Sequence, residues 1–243
     1  MSREDADGSP VSVNDLVLVQ GMKDTKVTLR RWNERPLQIL GPWVAISFTV
    51  ALALLGAVWL IAVLSPADIT GVLVPGMVRE PEPGDYLYVL TRNALVLALH
   101  AMACVAGFMA GSSIPLSASH RSGFDRWIHE KAGRFAIAFV ICATTFSLAT
   151  QAYVIGGDAS TISSQLGISP GLLVLALLPH AIPELTALFL PLAAWLIASR
   201  RDRWDELLAA TFVTVGAAAP VLLLSGVIEL WISPQIMRSL AGG

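Results

Sequence analysis

The chain has 243 residues, of which 55% are hydrophobic and only 14% charged, with a formal net charge of −2. Soluble domains carry about 25% charged residues, so this composition excludes an ordinary water-soluble globule and any surface basic enough for nucleic acid, and points to one polytopic membrane domain. The sum of the charges says little; their placement along the chain says more.

Residues 1–40 are polar, hold six Lys/Arg and contain nothing that spans a bilayer. The first twelve, MSREDADGSPVS, read as a disordered tail. From Val27 to Trp43 the chain is basic with scattered Val, Leu and Trp, which suits a segment resting on an anionic membrane surface. The first apolar run begins only at residue 41, extends for about 25 residues and has no small-residue cleavage pattern after it, so a secretory signal is not expected.

Five runs are long enough to cross about 30 Å of hydrocarbon at about 1.5 Å per residue. They fall at about 41–65, 86–110, 132–156, 171–198 and 209–232, within a membrane domain of 41–235 followed by a short tail, 236–243. The predicted fold is all-α: a polytopic membrane helix bundle with five transmembrane helices. Trp43, Trp195 and Trp231 sit near span ends, where an interfacial belt is expected. Arg121, Arg126, Lys131 and Arg134 separate spans two and three, and Arg200, Arg201 and Arg203 separate spans four and five. With the six N-terminal ones, thirteen of the sixteen Lys/Arg fall on one side. The positive-inside rule then puts the N-terminus in the cytoplasm and, with five spans, the C-terminus outside.

The outer loops are expected to be small. Pro66 to Asp85 carries Asp68, Glu80, Glu82 and Asp85 among several prolines, and Gly157 to Pro170 reads as a short polar loop. On the inner side Phe124, Trp127 and Ile128 follow a candidate cap at Ser122 as one face of an interfacial helix. Its histidines, His120 and His129, read as solvated. Cys104 and Cys142 both fall in apolar spans at a spacing that fits no metal or redox motif, and read as packed free thiols.

Polar residues inside the spans carry the functional signal. In the third span Thr144, Ser147 and Gln151 recur at i, i+3 and i+7, a polar face that either bonds neighbouring helices or lines a polar cavity. The fifth has Gly216, Ala217, Ala218 and Ala219 before a kink expected at Pro220. The fourth, Leu177 to Leu196, puts His180 and Glu184 one turn apart in an otherwise apolar run. An ionisable group at the centre of a membrane helix costs about 2.5–3.5 kcal/mol on insertion scales, so such groups are expected to face the bundle interior and find partners. Pro179 and Pro183 are expected to kink this helix, and Pro183 leaves the carbonyl of Pro179 without its helical donor.

Counting from the outer end of each span gives depths of about 9 Å for Arg92, about 5 Å for Glu229, about 14 Å for His180, about 20 Å for Glu184 and about 21 Å for His100. The expectation is a ladder: an outer Arg92/Glu229 pair, then His180, then Glu184 with His100 near the midplane. Asn93 lies beside Arg92. Arg92 could instead snorkel to the interface, and His100 could be a hydrogen-bonded packing residue.

LLPHAIPELTALFLP resembles the signature of the stage II sporulation protein M family, roughly Pro-His-Gly followed by two hydrophobic residues, Glu and an apolar helix. LLLSGVIELWISP, Leu222 to Pro234, is similar to the family's last helix, and RNALVLAL, Arg92 to Leu99, to the start of its second. The likeness covers about residues 88–235 and is most specific in its last third. Ala181 stands where the family usually has Gly, and no Asn-Gly occurs at Met109 to Ser113; the His and Glu positions are kept. The resemblance implies a multi-pass protein of the bacterial plasma membrane, whose named member works within a peptidoglycan-remodelling machinery.

Three functions can use such a ladder. One is a scaffold or assembly component of a cell-envelope complex, with the lipid bilayer, other membrane or envelope proteins and further copies of the chain as partners, and no nucleic acid. Another is a transporter of a proton, an ion or a small polar solute, with His180 and Glu184 as a relay. The weakest is an intramembrane metallohydrolase with His180, Glu184 and Glu229 as ligands, since His-x-x-x-Glu lacks the adjacent Glu of the His-Glu-x-x-His signature. The reading favours the first, with no catalytic residue, cofactor or metal assigned.

Overall fold

The computed structural model describes residues 17–67, 79–109 and 123–242, with side chains over 22–67, 79–109 and 138–242. The described residues contain helices and no strand. An N-terminal helix, Val17–Asn33 (α1), leads into Pro36–Leu64 (α2), Pro83–Phe108 (α3), Gly123–Leu166 (α4) and Pro170–Arg200 (α5). A 3₁₀ turn, Trp204–Glu206, then opens Leu207–Val227 (α6), which passes through a π turn, Ile228–Ile232, into Ser233–Ala241 (α7). Among the described residues five helical stretches are long and apolar enough to cross a membrane: α2, α3, Ala138–Leu166 within α4, α5, and the run from Trp204 to Ala241. The chain is a multi-pass, all-α membrane bundle. Ser122, His120 and the residues Gly111 to Ser113 lie outside the described residues, as do Asp68, the first twelve residues and the side chains of Phe124, Trp127, Ile128 and His129.

Local chemistry sets most boundaries. Pro36, Pro83 and Pro170 occupy the first turn of their helices, where a missing N–H costs nothing. Glu82 and Asp85 form a reciprocal capping box at the start of α3, with Glu82 N donating to Asp85 Oδ2 at 2.9 Å. Arg79 Nη2 donates to Asp85 Oδ1 at 2.8 Å, and that hydrogen bond, with the charge behind it, holds the guanidinium above its ordinary pKa. Ser169 Oγ accepts from Leu172 N at 3.2 Å to cap α5.

Several expectations change here. The polar loop expected at Gly157 to Pro170 is mostly helix: α4 continues to Leu166, where Gly167 takes a left-handed φ of 65°. The bonds Gly167 N to Ser164 O and Ile168 N to Ser163 O close it as a Schellman motif. The hydroxyls that suggested a loop are used by the helix: Ser160, Thr161 and Ser163 are buried, and Ser160 Oγ donates to the Ser65 carbonyl at 2.8 Å. Gly156 permits this approach, since a Cβ there would fall 2.6 Å from Ile61 Cβ and 3.0 Å from the Val58 carbonyl oxygen. The tail placed at 236–243 is helical to Ala241, with Met237 buried.

Of the expected tryptophan belt, Trp43 and Trp195 point inward and are buried, and only Trp231 is exposed. Trp43 meets Trp32 of α1 edge-on, ring centroids 5.3 Å apart. Helix α1 therefore does more than rest on a surface: Thr25, Thr28 and Trp32 are buried, and Arg31 reaches Glu206 of the 3₁₀ turn.

Helix α5 is the axis of the bundle. It is apolar on nearly all sides, the pattern of a buried helix, and supplies residues to all four hydrophobic clusters of the core. Leu173 and Phe189 pack with α2, α4 and α7; Leu190 and Ala194 with α1, α2 and α6; Leu188 with α3 and α6; and Trp195 with Cys104 and Leu207. Gly107 of α3 lets Trp195 and Leu207 in, for a Cβ there would lie 2.8 Å from both.

Candidate functional site

The candidate site is assembled from α3, α5, the π turn and the start of α7. Arg92 Nη2 lies 3.5 Å from Glu229 Oε1, so the two groups whose depths agree in the sequence do meet. Glu229 sits inside the π turn, a geometry that is rare and recurs at functional positions. Glu184 is 7% exposed and faces Glu229, Arg92 and Asn93. The Asn93 carboxamide is buried and close enough to interact with Glu184, yet no hydrogen bond of ordinary geometry closes on Asn93 Nδ2, Glu184 Oε2 or Glu229 Oε2 among the described residues. Two carboxylates, one guanidinium and one carboxamide thus share a small volume between helices.

His180 behaves differently from the i, i+4 reading. Its Nδ1 pairs with Ser233 Oγ at 2.7 Å, not with Glu184. Ser233 is the first residue of α7, and nothing in its Ser-Pro dipeptide beyond a helix-start signal points to this role. The π turn just upstream brings it there by taking one extra residue into the helical repeat. Tyr86 is a second residue that spacing does not reveal: its hydroxyl donates to the Leu223 carbonyl at 2.9 Å. Its ring lies over Gly226, where a Cβ would be 3.1 Å from Tyr86 Cε2.

His100 is not brought to Glu184. Its Nδ1 bonds the Leu188 carbonyl at 2.8 Å and its ring packs on Phe189 at 5.5 Å, the arrangement of a hydrogen-bonded packing residue. Cys104 Sγ, one turn on, donates to the Pro191 carbonyl at 3.1 Å and is fully buried, while Cys142 is exposed. Pro191, like Pro179 and Pro183, lies within a continuous α5, as Pro220 does within α6.

The polar face of the third span does not join the cluster. Gln151 Nε2 donates to Ser147 Oγ of its own helix at 3.2 Å, Ser147 is exposed, and Thr144 lines an apolar cavity of about 260 Å³ between α2, α4 and α5. Of the run Gly216 to Pro220 in α6, Ala218 alone is buried; Gly216, Ala217, Ala219 and Pro220 face outward.

Among the described residues no group of three His, Cys, Asp or Glu side chains is placed to hold a metal ion. His180, Glu184 and Glu229 therefore do not form the ligand set of a metallohydrolase. What the cluster can do is bind helices to each other or hold a proton or a small polar species between two carboxylates. No protein-family model, no curated protein and no solved structure matches this chain, and the likeness to the stage II sporulation protein M family rests on the quoted residues alone.

Proposed function

We propose that the protein is a multi-pass scaffold or assembly component of a cell-envelope complex in a bacterial plasma membrane, related to the stage II sporulation protein M family, with its N-terminus in the cytoplasm and its C-terminus outside. The observation that supports this most is how its costly groups are used. Arg92 ties α3 to Glu229, His180 ties α5 to Ser233, His100 ties α3 to the Leu188 carbonyl, and Cys104 ties α3 to the Pro191 carbonyl. Each contact joins two different elements. Buried polar ties of this kind give little net stability and serve to fix which helices pair and in what register.

A second reading has its own support. Glu184 Oε2, Glu229 Oε2 and Asn93 Nδ2 are buried and carry no hydrogen bond of ordinary geometry among the described residues, and a proton relay needs such groups. Reconstitution of the purified protein in liposomes with a pH-sensitive dye inside separates the two. The scaffold gives no proton flux above empty vesicles, and His180→Phe with Glu184→Leu stays folded. Flux that disappears in Glu184→Gln would replace the scaffold with the relay. For the orientation, a single cysteine at Ala241 in a background free of Cys104 and Cys142 should react with an impermeant thiol reagent from outside. Reaction only from the cytoplasm overturns it.

A further inference from the structure

At the opposite end of the bundle from Arg92 and Glu229, α1, the start of α2, the end of α5 and the 3₁₀ turn enclose a crevice of about 30 Å³. Its walls include Trp32, Gln38, Trp43, Arg201 and Arg203, over an apolar floor of Pro42, Ala194 and Ile197. Glu206 also lines it, but this carboxylate is already taken by Arg31 and Arg203. Arg201 makes no ion pair among the described residues and is exposed. Trp32 is 6% exposed, and its indole Nε1–H is buried with no acceptor among the described residues. A buried N–H without an acceptor is unfavourable, and Trp32 shares the lining of this crevice with two guanidiniums.

The level of the crevice also matters. Helix α2 has 29 residues and is about 43 Å long, against a hydrocarbon layer of about 30 Å, so its first turns reach the headgroup zone. Beside the crevice, and sharing Trp32 and Ile39 with it, runs a mostly apolar groove of about 470 Å³ lined by Leu29, Leu40 and Val213, with Arg30 and Asn33 also in its wall. Donors above and hydrocarbon below is the layout of a phospholipid, and basic pockets between helices at a membrane surface bind anionic headgroups.

We propose that this crevice binds the phosphate of an anionic phospholipid, with Trp32 Nε1–H, Arg201 and Arg203 donating to its oxygens and an acyl chain in the groove over Ile39 and Val213. The lipid completes the joint between α1 and the span bundle. Arg203 donates to Glu206 through one nitrogen and keeps other N–H groups for the phosphate. Glu206, shared between Arg31 and Arg203, repels a second anion less than a free carboxylate does.

The test uses the full-length protein, delipidated in a neutral detergent, with phosphatidylglycerol or phosphatidylcholine added and retained lipid read by native mass spectrometry. Phosphatidylglycerol should be retained in preference to phosphatidylcholine. Arg201→Gln and Trp32→Phe should each weaken its retention about tenfold, one charge-assisted or buried hydrogen bond apiece. Should Trp32→Phe fail to fold, the exposed Arg201→Gln decides alone. Equal retention of the two lipids, or unchanged retention in the variants, overturns the proposal. Free glycerol phosphate that binds as tightly as the lipid and displaces it also overturns it, making the site one for a soluble phosphate.

Discussion

Helices α4 and α5 carry polar residues at nearly the same helical spacing and use them in opposite ways. In α5 His180 and Glu184 are turned into the bundle and meet side chains from three other elements. In α4 Ser147 and Gln151 bond each other along a face that is largely uncovered, the most apolar stretch of that helix being only 6% buried against 39% in α5. The difference follows from cost. A hydroxyl or carboxamide in a membrane helix can be satisfied by its own backbone or by a neighbour one turn away, so it imposes no tertiary partner. A carboxylate or a buried imidazole cannot, and the fold has to bring another element to it.

The largest effect expected is from Arg92→Leu, which removes the one guanidinium that faces Glu184 and Glu229 among the described residues. Leaving a carboxylate unopposed costs several kcal/mol when fully buried; with the Arg92 side chain 51% exposed, about 2–3 kcal/mol is expected by denaturant unfolding in mixed micelles. The exchange Arg92→Glu with Glu229→Arg should recover part of that loss. A double variant no better than the worse single breaks the pairing.

Next comes Gly156→Leu, which sets a side chain against Ile61 and the Val58 carbonyl and should push α4 off α2 at about 1–3 kcal/mol. Gly216→Leu is its control, because a Cβ at Gly216 meets nothing within 4 Å. Equal losses at the two glycines would mean that α4 does not depend on this close approach.

A smaller effect sharpens the contrast within α5 itself. A double-mutant cycle on His180→Phe and Ser233→Ala should show coupling of about 0.6–1.7 kcal/mol, the range of hydrogen bonds between membrane helices. The cycle on His180→Phe and Glu184→Leu should show less than half of that. The reverse order would restore the i, i+4 pair that the bare sequence suggests. Last, Ser147→Ala and Gln151→Leu should each stay within about 0.5 kcal/mol of the parent, as exposed substitutions do. A loss above 1 kcal/mol at either would show that this face meets a partner.

How much of this the sequence holds depends on what each signal measures. Apolar runs measure length, so the five membrane-crossing helices are legible, as is the meeting of Arg92 with Glu229, which needs only depth. Facing is harder. Trp43 and Trp195 lie at span ends like belt residues, and only the presence of α1 over Trp43 and of Gly107 beside Trp195 turns them inward. The Ser/Thr-rich stretch after Gly157 looks like a loop because hydroxyls favour loops, yet a close-packed neighbour lets a helix bury them. Ser233 is invisible as the partner of His180 because any projection at 3.6 residues per turn assumes an unbroken α-helix, and the π turn breaks that assumption.

That π turn makes the length of the segment matter as much as its composition. Each residue of an α-helix turns the chain by about 100°, so straightening the π turn to ordinary winding with all of Ile228–Ile232 kept would swing α7 by about that angle. Ser233, Pro234 and Met237, the three buried residues of α7, would all leave the face they now occupy together. The wide turn, by taking up one residue more than an α turn would, is what keeps the last helix docked as a unit. In related chains, a segment one residue shorter at this point would therefore be regular α-helix with the C-terminal end on the same face.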